Sequence, residues 1–308
     1  MNHEIPLERR TLHGHFSREL EPVVTIDAGD SVAFSTLDAD WCVEDAPYDE
    51  RRRFEPRDEE LDAGHALIGP IEVRGARAGQ TLAVGIDRLH VGTFGFTAAG
   101  GWPAWLNTRL GLDAGEARHL RWQLDAEAGT GIDQHGRTVD LRPFLGVMGM
   151  PPAEPGVHLT SPPRPCGGNL DCTELVEGTT LFLPIPVDGA LFSAGDGHAR
   201  QGDGEVCQIA IECPMERVEL TLALRDDLPL TGPVARTRDA WITLGVDEDL
   251  DEAAALAVDS MLTLMERELS LDRRDAYALA SVVVDLRVTQ VVNGVKGVHA
   301  VLRDDAVR

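Results

Sequence analysis

Three stretches of the chain repeat one device: a short apolar run, a glycine turn, and a second apolar run. They lie at residues 23–34 around Gly29, 70–84 around Gly79 and 175–183 around Gly178. Each reads as strand, turn, strand. Residues 206–224 add two more β-rich runs on either side of Cys213-Pro214. The pattern changes near residue 250. Ala254, Val258, Met261, Leu262, Met265 and Leu269 recur at the helical period and predict an amphipathic helix over Leu250–Leu269. Met261 and Met265 read as core filler. Ser270 or Asp272 can cap a second helix running to about residue 281. A β-branched run at 282–292, then Asn293-Gly294, then an apolar run at 295–302 read as a terminal hairpin. Asp285, inside the first of these runs, reads as a carboxylate satisfied by neighbouring backbone donors. The expectation is an α+β, β-rich fold. It has short-strand sheets or a barrel-like β core, then a C-terminal helical pair and a terminal hairpin. One domain over 1–308 is expected, β-rich over 1–240 and helical plus hairpin over 241–308.

Two segments break the periodicity. Residues 141–168 are rich in proline and glycine and too long for an ordinary connection, which marks a functional loop. Residues 44–62 are charged and read as a solvated loop, with Arg51-Arg52-Arg53 at the surface.

Composition narrows the function classes. With 43% hydrophobic residues the chain can bury a sizeable core. A formal net charge of −24 argues against nucleic acid and anionic membrane as partners. The first residues hold no apolar signal core, and no apolar run is long enough to span a bilayer, so a cytoplasmic protein is expected. Five cysteines without CxxC spacing read as buried small side chains. Cys166, beside Gly167-Gly168, is the one candidate nucleophile among them, with no base supplied by its sequence neighbours.

The segment Gly195-Asp196-Gly197-His198 to Gly204-Glu205 concentrates the chemistry. Asp196 and His198 are two apart, as are Asp203 and Glu205, so each pair shares a face if extended. Carboxylate oxygens with an imidazole suit a divalent cation, and the same groups suit general acid–base work. The Asp-Gly pairs equally fit the end of a solvated hairpin. Asp38, after an early strand, can line a site or cap a turn. Gly168 and Asn169, followed by Asp171, can offer backbone donors to an oxyanion or simply form a tight turn. His13 and His15 share a face, as a chelating pair or incidentally. No Gly-x-Ser-x-Gly elbow, HExxH, phosphate loop or dinucleotide fingerprint is present. Metal plus carboxylate is the hydrolytic route the sequence supports best.

Several blocks together resemble the acetamidase/formamidase family. They are Gly167-Gly168-Asn169-Leu170-Asp171, the Leu183 to Ser193 block, the Gly195 to Glu205 segment, Gly69-Pro70-Ile71-Glu72-Val73, Thr36-Leu37-Asp38-Ala39, and the C-terminal Asp275 and Asp285 blocks. The resemblance covers nearly the whole chain. It implies an amidase that hydrolyses a short linear aliphatic amide to a carboxylate and ammonia, a homo-oligomer, and a divalent cation such as zinc or calcium. It implies Asp196, His198 and Asp38 as metal ligands. Glu205 then acts as general base, with Asn169 and Asp171 as further catalytic positions and Gly168 beside the substrate. His13 matches a family histidine less closely. The sequence departs from the family pattern at 44–62 and at 92–105, where Phe94, Phe96, Trp102 and Trp105 can reshape the substrate pocket; Phe96 and Trp102 are expected to contact substrate. A non-catalytic metal- or ligand-binding protein of the same fold is the alternative reading, and Cys166 as an acyl-forming nucleophile is a third.

Overall fold

A computed structural model describes residues 1–47 and 50–307. Alternation of buried and open positions along Met215–Arg225 makes that strand a spine of the molecule. It pairs antiparallel with Asp30–Phe34 on one side and with the long strand Thr81–Val91 on the other. Pairing continues outward through Thr180–Pro184, Val234–Arg236, Ala240–Asp247 and Lys296–Arg303 to Val284–Gln290, with Asn2–Glu4 at the opposite edge. This is a nine-stranded sheet.

A second sheet runs Gly167–Asn169, Phe144–Gly149, Phe192–His198, Leu67–Val73, Leu12–His13. One hydrophobic cluster joins the two sheets. Val32, Leu82 and Leu220 come from the first, and Ile68, Phe144 and Phe192 from the second. Phe144–Gly149 and Phe192–His198 are buried at every position. Asp196 and His198 therefore lie inside the protein because their strand is central, not because their own side chains favour burial. A smaller sheet of Phe94–Ala99, Arg118–Asp125, Thr130–Asp133 and Thr138–Asp140 stands beside them. Among the described residues the sheets are open; none closes into a barrel.

Helix α1, Trp105–Leu110, is a short turn that the apolar pattern did not predict. Helix α2, Leu250–Leu269, has the predicted bounds and is capped by Asp249, whose carboxylate accepts from the N–H of Asp251. Helix α3, Arg273–Val283, is capped by Asp272, not Ser270. Met261 and Met265 pack with Ala276, Val298 and Leu302 beneath this pair. The close approach of α2 to the sheet depends on Gly245: a Cβ there would strike the Ala253 carbonyl and the Ala257 N–H.

Several sequence expectations give way. Residues 175–176 lie between two turns and form no strand, and 206–211 carry no strand, so one long strand follows Cys213. The proline-rich stretch 141–168 holds the core strand Phe144–Gly149; its apolar run was masked by the prolines that follow. Asp285 is exposed on an edge strand and not buried. The 44–62 loop is not fully solvated. Arg51 lies buried, its guanidinium 3.7 Å from the centre of the Phe96 ring and 3.2 Å from Asp38. Asp62 is buried too, accepting from Gly14 and from Arg9. Within that loop Tyr48 and Asp49 lie outside the described residues.

Candidate active site

The floor of the site is built from three neighbouring segments. Strand Phe192–His198 supplies Asp196 and His198. The turn after Gly167–Asn169 supplies Asp171, whose N–H, with that of Leu170, is held by the Gly146 carbonyl. The loop beyond His198 supplies Glu205 and Glu212, and Glu212 bridges to His198 and to Phe96 through its backbone. All five side chains are buried, none more than 6% exposed. His198 Nε2 stands 3.3 Å from Asp196 Oδ1 and 3.2 Å from Glu212 Oε2. The edge of the Phe144 ring meets its imidazole, with centroids 4.9 Å apart.

The backbone is strained where the acids are set. Asp171 has φ 48°, Asp196 60° and Glu205 44°, all in the left-handed region. Such residues cost on the order of 1–3 kcal/mol each and cluster at working sites. Gly146 makes room for them. A Cβ on Gly146 would lie 2.8 Å from Asp171 Oδ1 and 2.9 Å from His198 Cε1, and nearer still to Asp196 Oδ2.

Four carboxylates around one imidazole leave the floor short of positive charge. Burial alone would push His198 down, but Glu212 and Asp196 outweigh it and hold the imidazole well above its usual range. Burial likewise opposes the ionised form of Asp196, yet the charge of His198, and then of His65, keeps that carboxyl well below the usual carboxylate range. Burial pushes Asp171 up to about 8, with Asp196 adding to the rise and His198 resisting it. Burial, then the neighbouring Asp171, lifts Glu205 well above its usual range. Glu212 rises for the same first reason. Asp171 Oδ1, Glu205 Oε2 and His198 Nδ1 have no hydrogen-bond partner, and Asp196 Oδ1 and Glu212 Oε2 have none beyond their ion-pair contact with His198 Nε2. Buried polar atoms of this kind are rare unless a ligand or ion satisfies them.

Asp171, Asp196 and His198 each offer one ligand atom, and these atoms lie within 4.8 Å of one another. Oxygen donors with an imidazole fit a divalent cation. The donor set, the unpartnered atoms and the space kept by Gly146 thus agree with a metal-binding floor.

Above this floor opens a cavity of about 930 Å³. Asn169, Asp196, His198, Glu205 and Glu212 line its inner part, with Phe96, Trp102 and Trp41 on the walls. Trp102 is held by its indole N–H, which donates to Gln208 at 2.9 Å. Asn293 reaches in from the C-terminal hairpin, its amide donating to Asp171 and to Gln290.

The structure brings most of the sequence-predicted residues together. Asp196, His198, Glu205, Asn169 and Asp171 share the floor, and Phe96 and Trp102 the walls. Asp38 sits in an adjoining network: its carboxylate accepts from the N–H groups of Asp40 and Cys42 and pairs with Arg51. Burial pushes Asp38 up to about 7 against those donors. Gly168 does not line the cavity and packs near Phe16 and Arg164. Asp203 takes the hydroxyl of Thr173 instead of facing the floor. Trp105 is 64% exposed and lies outside. His13 is buried away from the cavity. Its Nδ1 donates to the His15 carbonyl at 2.6 Å, leaving Nε2 to accept from Ser193 at 2.9 Å. Cys166 is buried, donates to the Met150 carbonyl and is pushed up to about 11 by burial, which makes a poor nucleophile. Glu212 and Gly146 escaped the sequence reading. The one signal for Glu212 was an acid ending the run before Cys213-Pro214, and Gly146 had none.

Comparison with known proteins assigns the class: this is an amidase, a hydrolase of amide carbon–nitrogen bonds. The family follows from the match itself. The model of the acetamidase/formamidase family covers residues 1–159 and 153–302, so the chain belongs to that family. A Bacillus halodurans acetamidase is similar at 28% identity, with 97% of each chain covered and a TM-score of 0.83. A predicted acetamidase/formamidase of Thermoanaerobacter tengcongensis is 27% identical over 99% of this chain and 97% of that one, with a TM-score of 0.85. A Schizosaccharomyces pombe protein provisionally named a formamidase is 25% identical over 289 residues, 74% of this chain and 70% of its own length. Among the described residues no helix is long and apolar enough to cross a membrane.

Proposed function

We propose that the protein hydrolyses a linear amide to a carboxylate and ammonia, with Asp171, Asp196 and His198 holding a divalent cation and Glu205 serving as general base. One observation carries this reading: buried, unpartnered carboxylate and imidazole atoms gather at the inner end of a cavity. A divalent cation bound there would supply the missing positive charge, polarise an amide carbonyl and acidify a bound water. Glu205, whose ionised form such a cation would favour by offsetting the repulsion from Asp171, takes the proton of the attacking water as oxygen joins the carbonyl carbon. The same carboxyl then returns a proton to the nitrogen as the carbon–nitrogen bond breaks and ammonia leaves. Asn169 Oδ1, buried and unpartnered, accepts a hydrogen bond from the substrate amide N–H. Phe96 and Trp102 shield the reacting groups from water. Glu212 helps orient His198 at the same Nε2 that Asp196 faces, and the Arg51–Asp38 pair supports the Phe96 wall. We further propose a homo-oligomer, one folded domain, and zinc or calcium as the cation.

The test is direct. Purified protein is assayed on formamide, acetamide and propionamide before and after chelation, with elemental analysis alongside. Glu205→Gln should lower kcat by about 10²- to 10⁴-fold while leaving the metal content intact. Undiminished turnover in that variant would remove Glu205 from the mechanism, and full activity without metal would remove the cation.

A further inference from the structure

The cavity is far larger than a small amide needs. One water occupies about 30 Å³ in the liquid, so 930 Å³ is room for roughly thirty waters. A four-heavy-atom amide fills only a small part of that. A site shaped for such an amide alone would gain nothing from distant walls bearing fixed charge.

One of those charges stands out. Arg53 and Arg57 both line the cavity. Arg53 is held by Asp40, to which its guanidinium donates at 2.8 Å. Arg57 forms no ion pair with any described residue, although the chain pairs most of its arginines with carboxylates. Its one side-chain hydrogen bond is a long one, 3.4 Å from Nη1 to the Asp62 carbonyl. Its Nε is buried and has no acceptor. A guanidinium left in this state matches a carboxylate, which two parallel N–H groups can grip at once. The acids at the floor repel an anion that enters carboxylate-first. Arg57, on the wall with Ala63, Gly64 and His65, holds it with its amide end inward.

We propose that the substrate is a primary amide bearing a carboxylate at its far end, with Arg57 as the residue that anchors it. This rests on the amide-hydrolysing reading of the floor. Water oxygen joins the amide carbon, ammonia leaves with the proton, and the product is a dicarboxylate.

The experiment uses four amides of matched length with the protein as purified: succinamate, its neutral isostere succinamide, butyramide, and 4-aminobutanamide with its ammonium end. The expected kcat/KM for succinamate exceeds that for succinamide by about tenfold or more, with 4-aminobutanamide the poorest. Arg57→Gln should bring the succinamate-to-succinamide ratio to about one, and Arg57→Lys should restore part of it. Because a variant can fail to fold, the wild type gives a second readout. Succinate should compete with succinamide at about a tenfold lower concentration than butyrate, which lacks the second carboxylate. Equal turnover of succinamate and succinamide, a preference for the ammonium-bearing amide, or equal inhibition by succinate and butyrate would overturn the assignment and leave amide hydrolysis standing. Hydrolysis of none of the four would overturn the proposed function together with it.

Discussion

Gly146→Ala tests the floor of the site without replacing any group proposed to do chemistry. The added methyl would enter the space between Asp171, Asp196 and His198, 2.8 Å from Asp171 Oδ1 and 2.9 Å from His198 Cε1. Ordinary contact begins near 3.4 Å, so these side chains must retreat by about 0.5–1 Å. They cannot retreat freely, since His198 is braced by Phe144 and flanked by Glu212. A misplacement of about 1 Å in a catalytic array can cost about 10²-fold in rate. The expected outcome is a fall of about 10²-fold in kcat/KM on propionamide, with weaker metal retention by elemental analysis after dialysis. Gly202→Ala is the matched control, because a Cβ there meets nothing within 4 Å. If Gly146→Ala keeps wild-type kcat/KM and metal content, the gap beside Gly146 is not part of the site, and the argument from converging ligands fails.

Burial holds His13 down to about 4 in the folded protein, against about 6.5 in the unfolded chain. Its contribution is thus fully present above pH ~6.5 and is lost as pH falls toward ~4, about 3 kcal/mol in all. Urea titrations of wild type and His13→Gln across that window should diverge by this amount, and parallel curves would refute the assignment. Cys166→Ala should keep wild-type turnover of propionamide, since its thiol is buried and hydrogen-bonded to Met150; a loss beyond tenfold would revive it as a nucleophile. Met265→Ala, at a fully buried position under α2, should cost about 2–5 kcal/mol by urea melts with kcat/KM unchanged. A change under 0.5 kcal/mol would contradict the close packing there.

What the sequence disclosed depended on how local the signal was. Helix α2 was legible to the residue because its apolar stripe is continuous. The Asn293-Gly294 turn announced the terminal hairpin, although the first two residues of that run joined α3. Asp196 and His198 could be paired because they lie two apart on one strand. Glu212 could not, since it meets His198 only after the loop folds back. Asp38 was paired with Asp196 by the family resemblance, while its place after a strand fitted a turn cap equally. Its carboxylate turns instead to the N–H groups two and four residues ahead, a local contact available to any Asp at a turn. Arg51 appeared to belong to a surface triplet, but its side chain folds in against the Phe96 ring, Asp38 and Asp40. Strand Phe144–Gly149 was hidden by the prolines after it. The preference of proline for loops outweighed a six-residue apolar run.

The way the loop carrying Glu205 is tied down has a consequence for the order of events in the cell. Gly204 donates to the Thr289 carbonyl and accepts from the Val291 N–H, and the Gln290 side chain donates to the Asn169 carbonyl. These links join segments that lie roughly a hundred residues apart in sequence, and closing such loops is slow. While the ribosome is still releasing the chain, strands Phe144–Gly149 and Phe192–His198 can pair. The loop carrying Glu205 nevertheless lacks its ties to residues 289–291 until they emerge and dock. Catalytic competence is therefore acquired only when the hairpin of Val284–Gln290 and Lys296–Arg303 closes over the floor.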